Sequence, residues 1–314
     1  MKQQITLVLK QAPSLPVEAE SINPESFAGK QVQEIKHLPI WCGSCQETVG
    51  AYFDVEITAS GEKHAAPSKP AFGLLGSDGG DNDLPELVLQ GDLSRFKRLG
   101  QGMRAGTMVI QGSAGFHAGA MMRGGVLLIQ GNAGDWLGAH MEGGLIQVEG
   151  SAGHFAGAAY RGNSLGMTGG TILIRDNAGQ RLGGRMRRGL IAVGGDCDDM
   201  PGYCMLAGTI VVCGKAGIRA GVRMKRGTLV LLQPQVLLPT FYYNCAYRPV
   251  FWQILCAQLA QAGFAMPPSC GEMLFRRYSG DANEGGRGEV LMGSVKGGST
   301  GVQPLQVPTS ISSA

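Results

Sequence analysis

The sequence is poor in the residues that characterise several classes of protein. Only 16% of its 314 residues are charged and 6% are aromatic. No apolar run reaches the ~20 residues that a membrane-spanning helix requires. The opening residues, Met1 to Ile5, lack the long apolar stretch of a signal peptide. These absences predict a cytoplasmic protein with no membrane partner.

The eight cysteines do not form the pattern of a secreted disulfide framework, because several, such as Cys213 and Cys256, lie in apolar segments. Cys42 and Cys45 have the spacing of a zinc or redox motif. A structural zinc site needs a second pair at similar spacing, and Cys197 and Cys204 are too far apart to provide it. We interpret Cys42-Gly43-Ser44-Cys45 as an ordinary turn rather than a metal site.

Glycine, by contrast, is abundant and periodic. The chain has 51 glycines, and many recur every nineteen residues. The most regular column is Gly119, Gly138, Gly157, Gly183, Gly202 and Gly221. The step from Gly157 to Gly183 is seven residues longer than the others, which predicts an insertion that loops out near residues 163–169. A fixed period of this length indicates a stack of repeated units, and it is too short for a pair of helices.

Each repeat contains a short apolar strand. Two positions in each strand, two residues apart, point to the same face of the strand. The first position is occupied in successive repeats by Met108, Leu127, Ile146, Ile172, Ile191, Ile210 and Leu229. The second is occupied by Ile110, Ile129, Val148, Ile174, Val193, Val212 and Leu231. A further column, which we interpret as core because methionine fills irregular spaces, is Met122, Met141, Met186, Met205 and Met224, with Tyr160 in the remaining place. Parallel stacking of equivalent strands predicts a mainly β fold, a right-handed parallel β-helix of about seven coils.

The flanking segments are predicted to close the two ends of this stack. Residues 1–85 form a small N-terminal α/β module and linker, with a helix that begins at Asn23-Pro24. Residues 86–235 form the glycine-rich β-helix. Residues 236–295 form a C-terminal cap with a helix near residues 249–264, and residues 296–314 are predicted to be a disordered tail because they are rich in glycine, serine, threonine and proline.

Catalytic constellations are hard to find in this sequence. The histidines of the repeats, His117, His140 and His154, fall at different phases of the period, so they do not form a metal-binding column. The acidic cluster at residues 196–199 lies at a single turn, which favours a solvated turn over a calcium site. The glycine motifs are not followed by a helix, so a dinucleotide site is unsupported. We therefore predict no catalytic residue and no metal on this chain.

One functional signal comes from charge. Residues 175–226 contain ten basic and four acidic residues, a net charge of +6 against +3 for the whole chain. Six of the basic residues recur at shared phases and should form a positive face: Arg181, Arg185, Arg187, Arg219, Arg223 and Lys225. Stacked like charges oppose folding unless an anion or an acidic partner lies there. Nucleic acid is disfavoured, because aromatic residues do not alternate with the basic ones along the chain.

The pattern Gly-x-x-Gly-x-x-x-Gly after each strand resembles two known protein families. One is the glycine-rich domain at the C-terminus of glutamate synthase large subunits, and the other is the C subunit of formylmethanofuran dehydrogenases. The flanks resemble the second family, and most closely its bacterial relative, the C subunit of the formyltransferase/hydrolase complex; the segments concerned are 38–41, 49–55, 238–241, 247–251, 277–281 and 286–289. Cys42 to Cys45 stand where that family usually has Gly-Asn or Gly-Arg, so no shared role is implied for these cysteines.

The resemblance implies a scaffold subunit in one-carbon metabolism. The complex transfers a formyl group from tetrahydromethanopterin to a methanofuran-type carrier with a polyglutamate tail, and hydrolyses it to formate. The implied partners are its A, B and D subunits, which are in that order a metal hydrolase, a molybdopterin-enzyme-like protein and a formyltransferase. No cofactor is assigned to this chain itself. The alternative is the C subunit of a molybdenum- or tungsten-containing formylmethanofuran dehydrogenase, and a stand-alone carbohydrate-active β-helix enzyme is a more distant alternative.

Overall fold

The computed structural model describes residues 3–59, 84–268 and 270–294. The predicted linker around residues 73–83 and the predicted disordered tail, 296–314, lie outside the described residues. Within them, no helix has the length and apolar character needed to cross a membrane.

The described part of the chain is mainly β. Its strands are β1 (Gln3–Leu9), β2 (Val17–Glu18), β3 (Pro39–Cys42), β4 (Cys45–Thr48), β5 (Phe53–Ala59), β6 (Glu86–Gln90), β7 (Phe96–Lys97), β8 (Thr107–Gln111), β9 (Val126–Ile129), β10 (Leu145–Val148), β11 (Thr171–Ile174), β12 (Leu190–Val193), β13 (Thr209–Val212), β14 (Thr228–Leu231), β15 (Tyr243–Tyr247), β16 (Leu274–Ser279) and β17 (Glu289–Ser294). The helices are α1 (Pro24–Phe27), α2 (Val32–Lys36), α3 (Val49–Tyr52) and α4 (Val250–Gln261), with single 3₁₀ turns at Cys270–Glu272 and Ala282–Glu284.

A sheet of thirteen strands organises the molecule. Its order is β15-β16-β17-β14-β13-β12-β11-β10-β9-β8-β6-β1-β5, and the nine pairs from β17 to β1 are parallel. Equivalent residues of successive repeats stand side by side, so Ile172 of β11 pairs with Ile146 on one side and Ile191 on the other. The predicted mainly β class with short stacked strands is therefore confirmed.

A second set of parallel contacts joins successive repeats outside the named strands. Single bridges join Leu93, Ala114, Ala133, Ala152, Ala178, Cys197 and Ala216, each to the equivalent residue of the next repeat. The side chains at these positions are buried or half-buried, and most belong to the same apolar core as the strand columns. Each repeat is thus tied to its neighbours by backbone hydrogen bonds at more than one place, which pairs backbone groups that would otherwise be buried without a partner.

The methionine column is buried as predicted, but one of its members is different. Met167, not Tyr160, fills the place between Met141 and Met186, and its side chain is fully buried. The N–H of Arg187 donates to the carbonyl oxygen of Met167. In the same way, the N–H of Thr168, the residue after Met167, donates to the carbonyl oxygen of Met141 in the preceding repeat. The seven additional residues therefore enter the chain before Met167. A phenol at this core position would bury its hydroxyl group, whereas methionine brings no such cost.

The two ends of the sheet are formed by the flanking segments. Strand β1 pairs in parallel with β6 and antiparallel with β5, so the N-terminal segment continues the sheet at one edge. At the other edge, β17 pairs in parallel with β14, and β16 and β15 follow in antiparallel order. Helix α1 begins as predicted, since the side chain of Asn23 accepts a hydrogen bond from the N–H of Ser26 and Pro24 occupies the first turn.

Helix α4 packs on a second face of the sheet. Trp252 and Leu259 are buried in a cluster with Leu173, Val211 and Val230. These strand residues alternate with the residues of the main core, so they point to the opposite face. The predicted helix is present within its expected range, and it lies against this outer face of the strands.

Candidate functional site

Two positions of the repeat hold large side chains on left-handed backbone. In the first row, φ lies between 54° and 64°; its members are Arg98, His117, Trp136, Phe155, Arg181, Met200 and Arg219. In the second row, φ lies between 53° and 61°; its members are Met121, His140, Arg185, Cys204 and Arg223. Such a conformation is uncommon for residues other than glycine. Here the N–H of a first-row residue donates to the next repeat, as Trp136 does to the carbonyl oxygen of His154 (2.8 Å), which stabilises the turn.

Four of the six predicted basic residues belong to these rows. Arg181 and Arg219 belong to the first row, and Arg185 and Arg223 to the second. Arg187 and Lys225, which follow core methionines, are exposed. We call the six residues of this set the arginine face: Arg181, Arg185, Arg187, Arg219, Arg223 and Lys225.

The C-terminal segment neutralises one end of the arginine face. Arg223 Nε lies 3.1 Å from Glu284 Oε1, and Lys225 Nζ lies 3.9 Å from Glu284 Oε2. Asp281 also accepts a hydrogen bond from the backbone N–H of Arg223 (2.7 Å). The pKa of the Arg223 guanidinium is raised, mainly because this group donates a hydrogen bond to Glu284. These two cations therefore have a partner within the chain.

The other four members of the arginine face have no such partner. Among residues 3–59, 84–268 and 270–294, no carboxylate lies within ion-pair distance of Arg181, Arg185, Arg187 or Arg219. Arg185 Nη1 donates to the carbonyl oxygen of Asn163 in the insertion (3.1 Å). The positive charge of the face is thus concentrated on these four arginines.

Aromatic side chains adjoin Arg181, although they are distant from it in sequence. The Trp136 and Phe155 rings stack with centroids 4.4 Å apart and an interplanar angle of 14°. The guanidinium carbon of Arg181 lies over the Phe155 ring at 5.9 Å and over the Tyr203 ring at 5.2 Å. Counting neighbours along the chain could not reveal these contacts. The shared nineteen-residue phase of His117, Trp136 and Phe155 was the signal that could have done so.

The insertion folds over this stack. Tyr160, at its start, packs against Trp136 with ring centroids 5.1 Å apart, and its hydroxyl oxygen lies 3.0 Å from His117 Nδ1. The backbone N–H of Tyr160 donates to His140 Nε2 (2.8 Å). Burial is the largest cause that lowers the pKa of both histidines. They therefore favour the neutral form, and His140 holds the insertion in place as a hydrogen-bond acceptor.

Together these groups enclose a hollow of about 240 Å³. We call it the aromatic niche; its main walls are Trp136, Phe155, Tyr160, Tyr203, Arg181 and Arg185. A third arginine, Arg161, belongs to the same lining, which contains no acidic side chain. This arrangement can bind an anion.

The comparisons with known proteins agree with this architecture. A family model described as the GXGXG motif matches residues 91–245. The X-ray structure of the formyltransferase/hydrolase complex FhcABCD from Methylorubrum extorquens, in complex with methylofuran, contains a chain that is 31% identical. The match covers 92% of this chain and all of that one, with a TM-score of 0.79. This chain belongs to the family formed by the C subunits of formyltransferase/hydrolase complexes and formylmethanofuran dehydrogenases. The resemblance given by its glycine pattern and flanks is confirmed.

Curated archaeal relatives share part of the chain. The C subunit of tungsten-containing formylmethanofuran dehydrogenase 2 from Methanothermobacter wolfeii is 38% identical over 117 residues, 37% of this chain and 36% of that protein. The C subunit of molybdenum-containing formylmethanofuran dehydrogenase 1 from Methanosarcina barkeri is 38% identical over 114 residues, 36% and 32% of the two chains. The matched segment spans about a third of the length of these relatives.

The cysteines and acidic residues singled out in the sequence lie outside the aromatic niche. Cys42 and Cys45 face each other across the tight turn between β3 and β4, where Gly43 has a φ of 61°. Asp196 Oδ1 accepts a hydrogen bond from the N–H of Lys215 (2.7 Å), and Asp199 Oδ1 from that of Ile218 (3.0 Å). In the described ranges, no three His, Cys, Asp or Glu side chains are grouped so that they could hold a metal ion.

Proposed function

We propose that this chain is a non-catalytic scaffold subunit of a formyltransferase/hydrolase complex. The observation that carries the proposal is the match along the full length of a chain of the Methylorubrum extorquens complex, at 31% identity. A domain reused for unrelated tasks would match in the repeats alone, whereas this match includes both flanks. The methylofuran named in that crystal structure is consistent with a methanofuran-type carrier in the complex.

The complex would transfer a formyl group between tetrahydromethanopterin and this carrier and then hydrolyse it to formate. In our proposal, the catalytic groups belong to a metal hydrolase and to a formyltransferase, and a third partner resembles a molybdopterin enzyme. This chain would contribute a rigid surface on which those proteins assemble. Its parallel ladders support that role, because stacked repeats joined by backbone hydrogen bonds at several places resist bending.

We further propose that the repeats wind as a right-handed parallel β-helix of about seven coils over residues 86–235. Residues 1–85 and 236–295 would close its two ends, as a small α/β module and a cap. The aligned registers of β6 to β14, the bridges between Leu93 and Ala216, and the strong preference for right-handed parallel crossovers support this arrangement. A crystal structure of the complex would test both the handedness and the number of coils.

The arginine face would guide an anion or dock an acidic partner protein. To separate these roles, we would compare an Arg187→Gln/Arg219→Gln variant with a Lys215→Gln control, in which the lost cation belongs to a different turn of the repeat. An elevated KM for the polyglutamate-bearing carrier with normal assembly would support the first role. Failure of the partner proteins to copurify would support the second, because the rate of encounter and the docking surface both depend on complementary charge.

Affinity purification of the tagged chain from its host, with mass spectrometry and an assay for formyl transfer and hydrolysis, tests the main proposal. Recovery of a metal hydrolase, a molybdopterin-enzyme-like protein and a formyltransferase, together with formate production, is the expected result. A chain that purifies alone from cells that produce these three proteins would contradict it.

The second candidate is the C subunit of a formylmethanofuran dehydrogenase. The 38% identity with the tungsten- and molybdenum-containing archaeal relatives favours it. The same eluate distinguishes the two candidates, since a dehydrogenase complex would contain tungsten or molybdenum and reduce an electron acceptor. Formate release with neither metal present would support the hydrolase.

A further inference from the structure

The aromatic niche combines three cations with no internal counter-charge. Arg161, Arg181 and Arg185 all contribute to its lining, and none of its lining residues is acidic. Glu284, which does pair with the arginine face, is bound to Arg223 and Lys225 instead. Like charges that converge on a half-buried hollow are unfavourable unless an anion shares it.

Arg181 is held in a geometry that leaves its hydrogen-bonding edge available. Its guanidinium lies over the Phe155 and Tyr203 rings. A guanidinium stacked in this way is ordered, and its N–H donors lie in the guanidinium plane, at its edges rather than on its faces. In the described part of the chain, no side chain accepts a hydrogen bond from these donors. Two parallel N–H groups match the two oxygens of a carboxylate.

The walls beside this cation are flat and apolar. The stacked rings of Trp136 and Phe155 and the tilted ring of Tyr160 form them. The hydrogen bond from the N–H of Tyr160 to His140 and the contact of its hydroxyl group with His117 fix this wall. The volume, about 240 Å³, is smaller than the ~300–1,000 Å³ of sites for drug-sized ligands. It suits one ring or a short chain.

We propose that the aromatic niche is a binding site for a small carboxylate carried on a flat, unsaturated body. Arg181 binds the carboxylate with two parallel hydrogen bonds, Arg185 and Arg161 add positive potential, and the rings of Trp136 and Tyr160 contact the body. This site deepens the anion-guiding part of the proposed function, because Arg181 and Arg185 belong to the arginine face. The niche would select a ligand by both its charge and its shape, whereas an exposed row of cations would select by charge alone.

Titration of the purified full-length chain with phenylacetate tests the site. Isothermal titration calorimetry measures binding, and a change in tryptophan fluorescence that is absent from a Trp136→Phe variant assigns it to the niche, since the chain has two other tryptophans. Phenylacetamide, which has the same shape and no charge, should bind about tenfold or more weakly, as the loss of charge-assisted hydrogen bonds predicts. Acetate, which has the charge and no ring, should also bind more weakly than phenylacetate.

Variants then separate the site from the general positive charge of the chain. Arg181→Gln should weaken binding of phenylacetate by roughly tenfold, and Arg181→Lys nearly as much, because lysine keeps the charge and loses the paired donors. Arg188→Gln, the matched control, removes an exposed arginine that belongs neither to the arginine face nor to the niche lining, and it should leave affinity unchanged. Circular dichroism confirms that each variant is folded.

Three outcomes would overturn the inference. They are the absence of saturable binding of phenylacetate to the folded wild-type chain, an equal loss in Arg188→Gln and Arg181→Gln, and equal affinity for acetate and phenylacetate. These results are independent of complex assembly, which copurification of the Arg181→Gln variant measures separately. Normal assembly with lost binding supports the niche, whereas a wild-type chain that never assembles contradicts the scaffold function alone.

Discussion

Arg223 and Glu284 form an ion pair, Nε to Oε1 at 3.1 Å, although they are 61 residues apart in sequence. The pair joins the second row of left-handed residues to the 3₁₀ turn at Ala282–Glu284. It therefore divides the six-residue arginine face into a neutralised end near the C-terminal segment and four arginines that have no carboxylate partner among the described residues. In our proposal, the anion-binding part of the face therefore lies towards the insertion, where Arg185 contacts Asn163.

The first prediction concerns this pair. Glu284→Gln should free Arg223 and Lys225 and extend the unpaired positive face. We expect the variant to elute from a heparin column at higher salt than the wild type, with a modest fall in melting temperature, because the Arg223 side chain is largely exposed whereas that of Glu284 is only 16% exposed. Glu272→Gln is the matched control, since it removes one acidic charge from an exposed residue of the same segment. Equal shifts in the two variants would show that net charge alone is responsible.

The second prediction concerns the wall of the aromatic niche. Tyr160→Phe removes the hydroxyl group that lies 3.0 Å from His117 Nδ1. We expect the free energy of unfolding to fall by about 1 kcal/mol, the usual contribution of one hydrogen bond. Urea denaturation measures it, with Tyr242→Phe, at an exposed tyrosine, as the control. If the Tyr160 variant were as stable as the wild type, the contact would not support the insertion.

The third prediction concerns pH. Burial lowers the pKa of His117 and His140 below the ordinary value of about 6.5. As the pH falls below about 6.5, these histidines take up protons more readily in the unfolded chain than in the folded chain. The free energy of unfolding therefore decreases as the pH falls. We expect the melting temperature to fall between about pH 7 and pH 5.5.

Replacing both histidines with asparagine should reduce this dependence on pH. Asparagine does not titrate, and it adopts left-handed backbone more readily than most residues. Differential scanning calorimetry across the pH range makes the comparison, with His37→Asn as the exposed control. A double variant that keeps the slope of the wild type would assign the pH dependence to other groups.

The fourth prediction tests where the insertion rejoins the core. Met167→Ala should lower the free energy of unfolding by about 2–5 kcal/mol, because it opens a cavity in a fully buried column. Met121→Ala, at a position that is 39% exposed, should cost much less. Chemical denaturation compares the two. Similar losses would mean that Met167 does not occupy the column.

Much of the fold followed from periodicity. Ile110, Val148 and Val212 were predicted as inward-facing strand residues, and each is fully buried in its strand. A nineteen-residue repeat places equivalent residues side by side, so one correctly assigned strand determines the others. Asn23 and the helix at 250–261 were also predictable, because a cap residue and an apolar helical period act locally.

The location of the insertion was less predictable. Counting from the preceding repeat assigned Tyr160 to the core column, and the chain instead returns at Met167. Both residues follow a plausible spacing, since an insertion can begin anywhere within the loop. The choice depends on burial: a thioether enters the core without a hydrogen-bonding partner, while a phenol does not.

Spacing within one repeat was enough to predict the stacked strands, their inward faces and the phase of the basic residues. The folded chain was needed to learn which charges remain unpaired and which rings adjoin them. Phe155 shares a phase of the repeat with Arg181, but the insertion interrupts the count between them. Glu284, in the turn before β17, reaches Arg223, in the turn before β14. That contact depends on where two separate segments pack, and no periodic signal along the chain records the distance between them.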